Sequence, residues 1–154
     1  MIILCEYTRI LLFRSVARFI GAWYRGNTVE CGVNTGETAK YLNLFFQRER
    51  YIFLTHLKVL PRKILKNGWI LDSFEGVEDT FSFVHLDMDL YKPMLAALEF
   101  FWDKVSIGGM ICLHNYFHTE LPSAKKAVAD FEQSRGLQLS KISDSGGSIV
   151  KIKR

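Results

Sequence analysis

Two carboxylates close the most apolar run of the chain: Phe81-Ser82-Phe83-Val84-His85-Leu86 stops at Asp87-Met88-Asp89. Acidic side chains are an odd choice at the end of a strand built for burial. They suit a hard cation or a general base, and the competing reading is that they cap the following helix, with Asp89 near its start. His114-Asn115-Tyr116 ends the next apolar run, Met110-Ile111-Cys112-Leu113. If the two strands are neighbours, these side chains lie near Asp87, and an oxygen-rich site with one imidazole suits magnesium, manganese or another divalent ion. Taken alone, a His-Asn pair at a strand end is a hydrogen-bonded turn. The third candidate is Glu30-Cys31-Gly32-Val33-Asn34-Thr35-Gly36, whose glycines would let a ligand approach the backbone beside a helix N-terminus. The same spacing also describes simple tight packing.

The elements that must position these residues follow from periodicity. Thr28 to Val33 is β-rich and leads through the glycine turn into a helical stretch, Glu37 to Leu42. Tyr51-Ile52-Phe53-Leu54 reads as a second strand and Gly68-Trp69-Ile70-Leu71 as a third, joined by a basic segment broken at Pro61. After the strand at 81–86, Met94, Leu95, Leu98, Phe101 and Trp102 recur at helical spacing from Lys92 to about Val105. Gly108-Gly109 opens the strand 110–113, and a further helix runs from near Pro122 to Gly136. Leu137 to Ile142 and Ser148 to Ile152 flank Asp144-Ser145-Gly146-Gly147, a hairpin signal. Strands alternating with helices predict an α/β fold, with a mostly parallel sheet covered on both faces and a closing antiparallel strand. Ligands bind such sheets beyond the carboxyl ends of the strands.

A chain of 154 residues with 49% hydrophobic content suits a single domain with one core. Its 20 basic and 16 acidic residues give a mild charge of +4, scattered along the chain apart from Lys151, Lys153 and Arg154, so nucleic-acid binding is not expected. Cys5, Cys31 and Cys112 are far apart and set among apolar neighbours, which predicts buried thiols in a reducing, cytoplasmic setting rather than disulfides or a zinc cluster. At the N-terminus, Glu6, Arg9, Arg14 and Arg18 interrupt each apolar run before it could cross a bilayer. Residues 1–26 read instead as an amphipathic helix packed on the domain, with Arg14, Arg18 and Arg25 near one face. His85, inside its apolar strand, reads as a satisfied core histidine, and Phe100-Phe101-Trp102 as core or interface. Trp69 could border an adenine ring, with core packing the competing reading.

In order, Val29-Glu30-Cys31-Gly32-Val33 with Gly36, then Val84-His85-Leu86-Asp87-Met88-Asp89-Leu90-Tyr91, then Gly108-Gly109-Met110-Ile111 resemble the macrocin O-methyltransferase family of sugar and antibiotic tailoring enzymes. The resemblance runs from about Tyr24 to the C-terminus and includes Lys126-Ala127-Val128. It implies a class I methyltransferase fold with a seven-stranded sheet and magnesium-assisted transfer of a methyl group from S-adenosylmethionine to a hydroxyl. Glu30, Gly32 and Gly36 would line the methionine part of that cofactor, with Trp69 and Ser73 near its adenine. Asp87 would ligate the metal, with His114 and Asn115 completing the set, and Asp89 or Asp87 would take the hydroxyl proton. Two positions depart from the family pattern. His114-Asn115-Tyr116 stands for the family's Asp-Asp-Tyr, which lowers the charge at the metal site. Thr55-His56-Leu57 directly follows Leu54, where the family carries an acidic segment that holds the ribose.

The leading expectation is therefore a metal-assisted O-methyltransferase, shortened in its cofactor site, acting on a small-molecule hydroxyl such as that of a sugar. It would have no membrane span, and assembly with copies of itself stays open. The rival expectation is a domain that kept the fold without catalysis and acts as a binding module. Another kind of nucleotide-binding α/β protein would need an acid at the end of the second strand, and Leu54-Thr55 provides none.

Overall fold

Strand β4 (Phe81–Leu86) is buried at every position, as a central strand must be when helices cover both faces of its sheet. A computed structural model describes residues 2–23, 26–32, 37–46, 51–54, 64–66, 70–117, 119, 122–138, 140–143 and 149–152. Around β4 run β1 (Asn27–Cys31), β2 (Tyr51–Leu54), β3 (Ile64–Lys66), β5 (Val105–Leu113), β6 (Ser140–Ser143) and β7 (Ile149–Ile152). Among the described residues these form one seven-stranded sheet in the order β3-β2-β1-β4-β5-β7-β6. From β3 to β5 every pairing is parallel, and β7 runs antiparallel to both β5 and β6. The α/β fold and its antiparallel closing strand are thus as the sequence predicts; the turn at 144–148 lies outside the described residues.

Five helices accompany the sheet among the described residues: α1 (Ile2–Trp23), α2 (Glu37–Phe45), α3 (Ile70–Ser73), α4 (Tyr91–Lys104) and α5 (Ser123–Arg135). Because strand side chains alternate, the two faces receive different sets. Val29, Val84 and Ile111 join the core beneath α3, α4 and α5, where Phe101 and Phe131 are fully buried. Phe83, Met110 and Cys112 join the opposite core with Phe13, Val16 and Ile20 of α1 and Leu42 of α2. Helix α5 closes as predicted, at Gly136 in the left-handed conformation (φ 61°), with Leu137 N–H donating to the Glu132 carbonyl at 2.8 Å.

Two expectations need correction. The third strand is not Gly68 to Leu71: β3 lies earlier, at Ile64–Lys66, and Ile70–Ser73 is helical. The buried residues after it, Phe74 and Val77, are spaced three apart, a helical rather than alternating interval, and Phe74 stacks on Phe100 of α4 (centroids 4.5 Å). The strand expected at 110–113 begins at Val105, straight off α4. Its first part bulges: Val105 pairs with Phe81, yet Met110 pairs with Phe83. Gly109 makes the bulge possible, since a Cβ there would lie 2.7 Å from the Val105 side chain.

Candidate active site

The strand registers bring the three sequence motifs to one end of the sheet. Glu30 of β1, His85 of β4 and Cys112 of β5 are lateral neighbours on the face that α1 and α2 cover. The ladder continues one step past the strands: Asp87 N–H donates to the Cys31 carbonyl and His114 N–H to the Leu86 carbonyl, each at 2.9 Å. Gly32, Asp87 and His114 therefore leave the sheet side by side. Gly32 has a positive φ of 89°, and a Cβ on it would stand 1.8 Å from the Asp87 carbonyl oxygen. Only a residue without a side chain lets the β1 turn press this closely on the end of β4. Of the two readings of this glycine turn, ligand approach and tight packing, the packing is seen directly at Gly32, against the backbone of Asp87.

Beneath this end lies a buried polar pair. His85 Nδ1 is 3.3 Å from Glu30 Oε1, and both side chains are almost wholly shielded from solvent. Burial pushes the imidazole down to about 4; the Asp87 charge works against that shift and the Arg9 charge adds to it. His85 is neutral near pH 7, so the contact is an Nδ1–H hydrogen bond to a carboxylate oxygen rather than an ion pair. The expectation of a satisfied core histidine holds at Nδ1, while Nε2 has no hydrogen-bond partner among the described residues. Partial burial raises the Asp87 carboxyl above the usual carboxylate range, against opposing pulls from His85 and Arg9.

Asp89 and Asn115 meet directly, Asn115 Nδ2 donating to Asp89 Oδ1 at 2.9 Å. Asn115 takes up the left-handed backbone conformation (φ 57°), which asparagine tolerates better than most residues. It forms the turn that carries the chain out of β5. Helix α4 starts at Tyr91 with Leu90 at its cap position and no side-chain cap, so the helix-capping alternative for Asp89 falls away.

The remaining neighbour is a cation. Arg9 of α1 points an NH1 nitrogen at the His114 ring, 3.2 Å from Nδ1 and 3.3 Å from Nε2. Near-equal distances to both ring nitrogens set the guanidinium against the face of the His114 ring rather than along the in-plane lone pair of one nitrogen. A guanidinium held there keeps a fixed positive charge against the ring beside which a metal would have to sit. Asn115 turns its amide NH2, not its oxygen, toward Asp89, and among the described residues no group of three or more His, Cys, Asp or Glu side chains converges on a point. With Arg9 in this position, Asp87, His114 and Asn115 do not fit a divalent ion. In the sequence Arg9 reads only as one of the charges that interrupt an apolar run. Its signal was positional: Arg9 precedes Phe13, Val16 and Ile20 by four, seven and eleven residues, which sets it on the buried stripe of α1, away from exposed Arg14 and Arg18.

Arg9 also borders a cleft between α1 and the first turn of α2, lined by Ile10, Phe13, Glu37, Thr38 and Tyr41. Ser73 is buried at the end of α3. Gly36, Trp69 and the segment after Leu54 where the ribose acid is missing lie outside the described residues. Cys31 and Cys112 are free, buried thiols, and no described helix is long and apolar enough to cross a membrane.

Comparison with known proteins agrees with this layout. The O-methyltransferase NovP superposes with a TM-score of 0.82 at 15% identity, over 95% of this chain and 79% of that one. CalS11, described as a TDP-rhamnose 3'-O-methyltransferase of calicheamicin biosynthesis, gives 0.76 at 14% identity over 96% and 79%. Cofactor-bound Rv0187 from MTB gives 0.74 at 16% identity over 94% and 80%. At these identities the likeness is one of fold: a Rossmann-like class I methyltransferase. No curated protein matches the sequence. The sequence pattern of the family described as Macrocin-O-methyltransferase (TylF) matches residues 41–146, a span that holds Asp87, Asp89 and His114-Asn115 and begins after Glu30 and Gly32. The match covers more than half of the sequence, and the chain belongs to the macrocin-O-methyltransferase family.

Proposed function

We propose that the chain transfers a methyl group from S-adenosylmethionine to a hydroxyl of a small molecule, of the sugar or natural-product type. The observation that carries this reading is the side-by-side exit of Gly32, Asp87 and His114 at the carboxyl ends of β1, β4 and β5, the position at which parallel sheets receive ligands. Family membership supports methyl transfer to oxygen, and the buried free thiols Cys31 and Cys112 support a reducing, cytoplasmic setting.

The cofactor, when bound, supplies a methyl carbon made electrophilic by its positively charged sulfur. Glu30, Gly32 and Gly36 would line its methionine part, with Trp69 and Ser73 on the adenine side. Asp87, or Asp89 beside it, would take the acceptor's hydroxyl proton, the cofactor supplying the methyl group and leaving as its demethylated sulfide. Burial favours Asp87 for this task, because a carboxylate lifted above its ordinary range holds a proton better near neutral pH. Holding oxygen, carbon and sulfur in line supplies much of the remaining acceleration. Magnesium assistance through Asp87, His114 and Asn115 would require Arg9 to leave His114, so the proton transfer is assigned to the carboxylates alone.

Calorimetric titration with S-adenosylmethionine and with its demethylated product, with and without magnesium, tests the reading. Dissociation constants between about 1 µM and 1 mM are expected. Undetectable binding of both compounds under both conditions would overturn it in favour of a non-catalytic domain.

A further inference from the structure

Arg9 is an unusual residue for its place. It lies one helical turn before Phe13, whose ring stands edge-on to His85 at 5.1 Å, so the same stripe of α1 that seals the buried pair also delivers a guanidinium to the next row of the sheet. That row holds Asp87 and His114. The charge of Arg9 is felt at both Asp87 and His85, favouring the ionised carboxylate and the neutral imidazole. A guanidinium stays charged at any physiological pH, offers several fixed donors and is less strongly hydrated than an ammonium, which suits it to a half-buried site lined by a carboxylate and an imidazole.

We propose that Arg9 takes the place of a divalent cation at the Asp87–His114 end of the sheet, so that α1 supplies the site's positive charge from within the chain. Three features support the assignment. The Arg9 guanidinium lies 3.2 Å and 3.3 Å from the two ring nitrogens of His114. Asn115 serves Asp89 as a donor, leaving its oxygen turned away from that carboxylate. A second, doubly charged cation beside the guanidinium would meet strong repulsion at this partly buried position. Substitution of the family's first aspartate by His114 belongs to the same change: an imidazole ring gives the guanidinium a flat partner and brings no carboxylate charge to the site. Resting on the methyl-transfer reading, the consequence is that the acceptor's oxygen loses its proton beside a guanidinium instead of a metal, with Arg9 touching the developing oxyanion as a hydrogen-bond donor.

The test needs neither cofactor nor acceptor, so it stands apart from the calorimetry above. Manganese binding to the full chain is followed by electron paramagnetic resonance, which counts free Mn2+. The wild-type chain is expected to leave manganese free up to about 1 mM, weaker than a dedicated divalent site of this charge would hold it. Arg9→Gln, which removes the charge and keeps a polar side chain, is expected to gain one site at least about tenfold tighter. Adding Asp87→Asn to that variant should abolish the gain, whereas Arg9→Lys should resemble the wild type. A thermal melt of each variant confirms folding. One tight manganese in the wild-type chain, lost in Asp87→Asn, would overturn the proposal, and this measurement does not depend on any Arg9 variant folding. A folded Arg9→Gln that binds manganese no better than the wild type would also overturn it.

Discussion

The two faces of the sheet solve the same packing problem with different materials. Beneath α3, α4 and α5 the core is mostly aromatic and aliphatic, with Ser73 buried at its α3 edge: Phe74 stacks on Phe100, and Phe101 meets Phe74 and Phe81 edge-on at 5.3 Å. Its charges stay outside, where Arg135 bridges Glu99 and Asp103 and Tyr91 donates to Asp130 across the α4–α5 seam. Such exposed pairs add little to stability. Beneath α1 and α2 the apolar layer of Phe13, Ile20, Leu42 and Phe83 is interrupted by Thr28, Glu30 and His85, all buried, and rimmed by Arg9, Asp87 and His114. Burying polar groups is unfavourable unless they are paired and oriented. The face that accepts that penalty is the one to which the proposed chemistry is assigned; the other face holds the fold together.

If this division is right, the largest effect comes from the face without chemistry. Phe101→Ala should lower stability by about 3–5 kcal/mol, the usual range for deleting a fully buried phenylalanine. Urea unfolding measures it. Whatever remains folded should bind S-adenosylmethionine as the wild type does, and a parallel loss of affinity would show that the faces are not separable.

The polar face should answer to acid instead. His85 titrates near 4 in the folded chain and near its ordinary value, about 6.5, when unfolded. Between those limits the unfolded chain binds more protons, so stability falls as pH drops from about 6.5 to about 4 and is then level, by about 3 kcal/mol from this group. Asp87 runs the other way: its raised carboxyl takes up a proton more readily folded than unfolded, offsetting part of the loss at the acid end of the window. Urea midpoints across pH 4 to 7 should therefore slope downward toward acid, and His85→Gln should flatten that slope. An unchanged slope in the variant would separate the acid response from the Glu30–His85 pair.

The same contrast governs what could be read from sequence. The Phe81–Leu86 run, the helical spacing of Met94, Leu98 and Phe101, and the cap at Gly136 were legible because burial imposes a period, and the α4–α5 face obeys it without exception. So was the cluster at the strand ends, since Asp87 and His114 interrupt such runs where packing would not choose them. The third strand was misplaced because Ile64-Leu65 is too short to show a period, and because Trp69-Ile70-Leu71 reads as an apolar run until Phe74 and Val77 give it helical spacing. Two roles were hidden for a different reason. Gly32 meets Asp87 and Arg9 meets His114 across long stretches of chain, and no local pattern reports a contact between residues so far apart.

Asn115 gives the finest test, because it stands where the two interpretations of the β5 turn part. As a turn residue it supplies the left-handed conformation, and as a site residue it holds Asp89. Asn115→Ala loses both and should cost about 1–2 kcal/mol, combining the strain of an alanine at positive φ with one lost hydrogen bond. Asn115→Gly keeps the backbone conformation and loses only the hydrogen bond, so it should fall within about 1 kcal/mol of the wild type. The two variants share the missing amide. Equal turnover deficits in both, despite unequal stabilities, would assign Asn115 to the orientation of Asp89. Turnover restored by glycine alone would reduce it to a turn former, and the polar face would then owe its chemistry to Arg9, Asp87 and His114 without it.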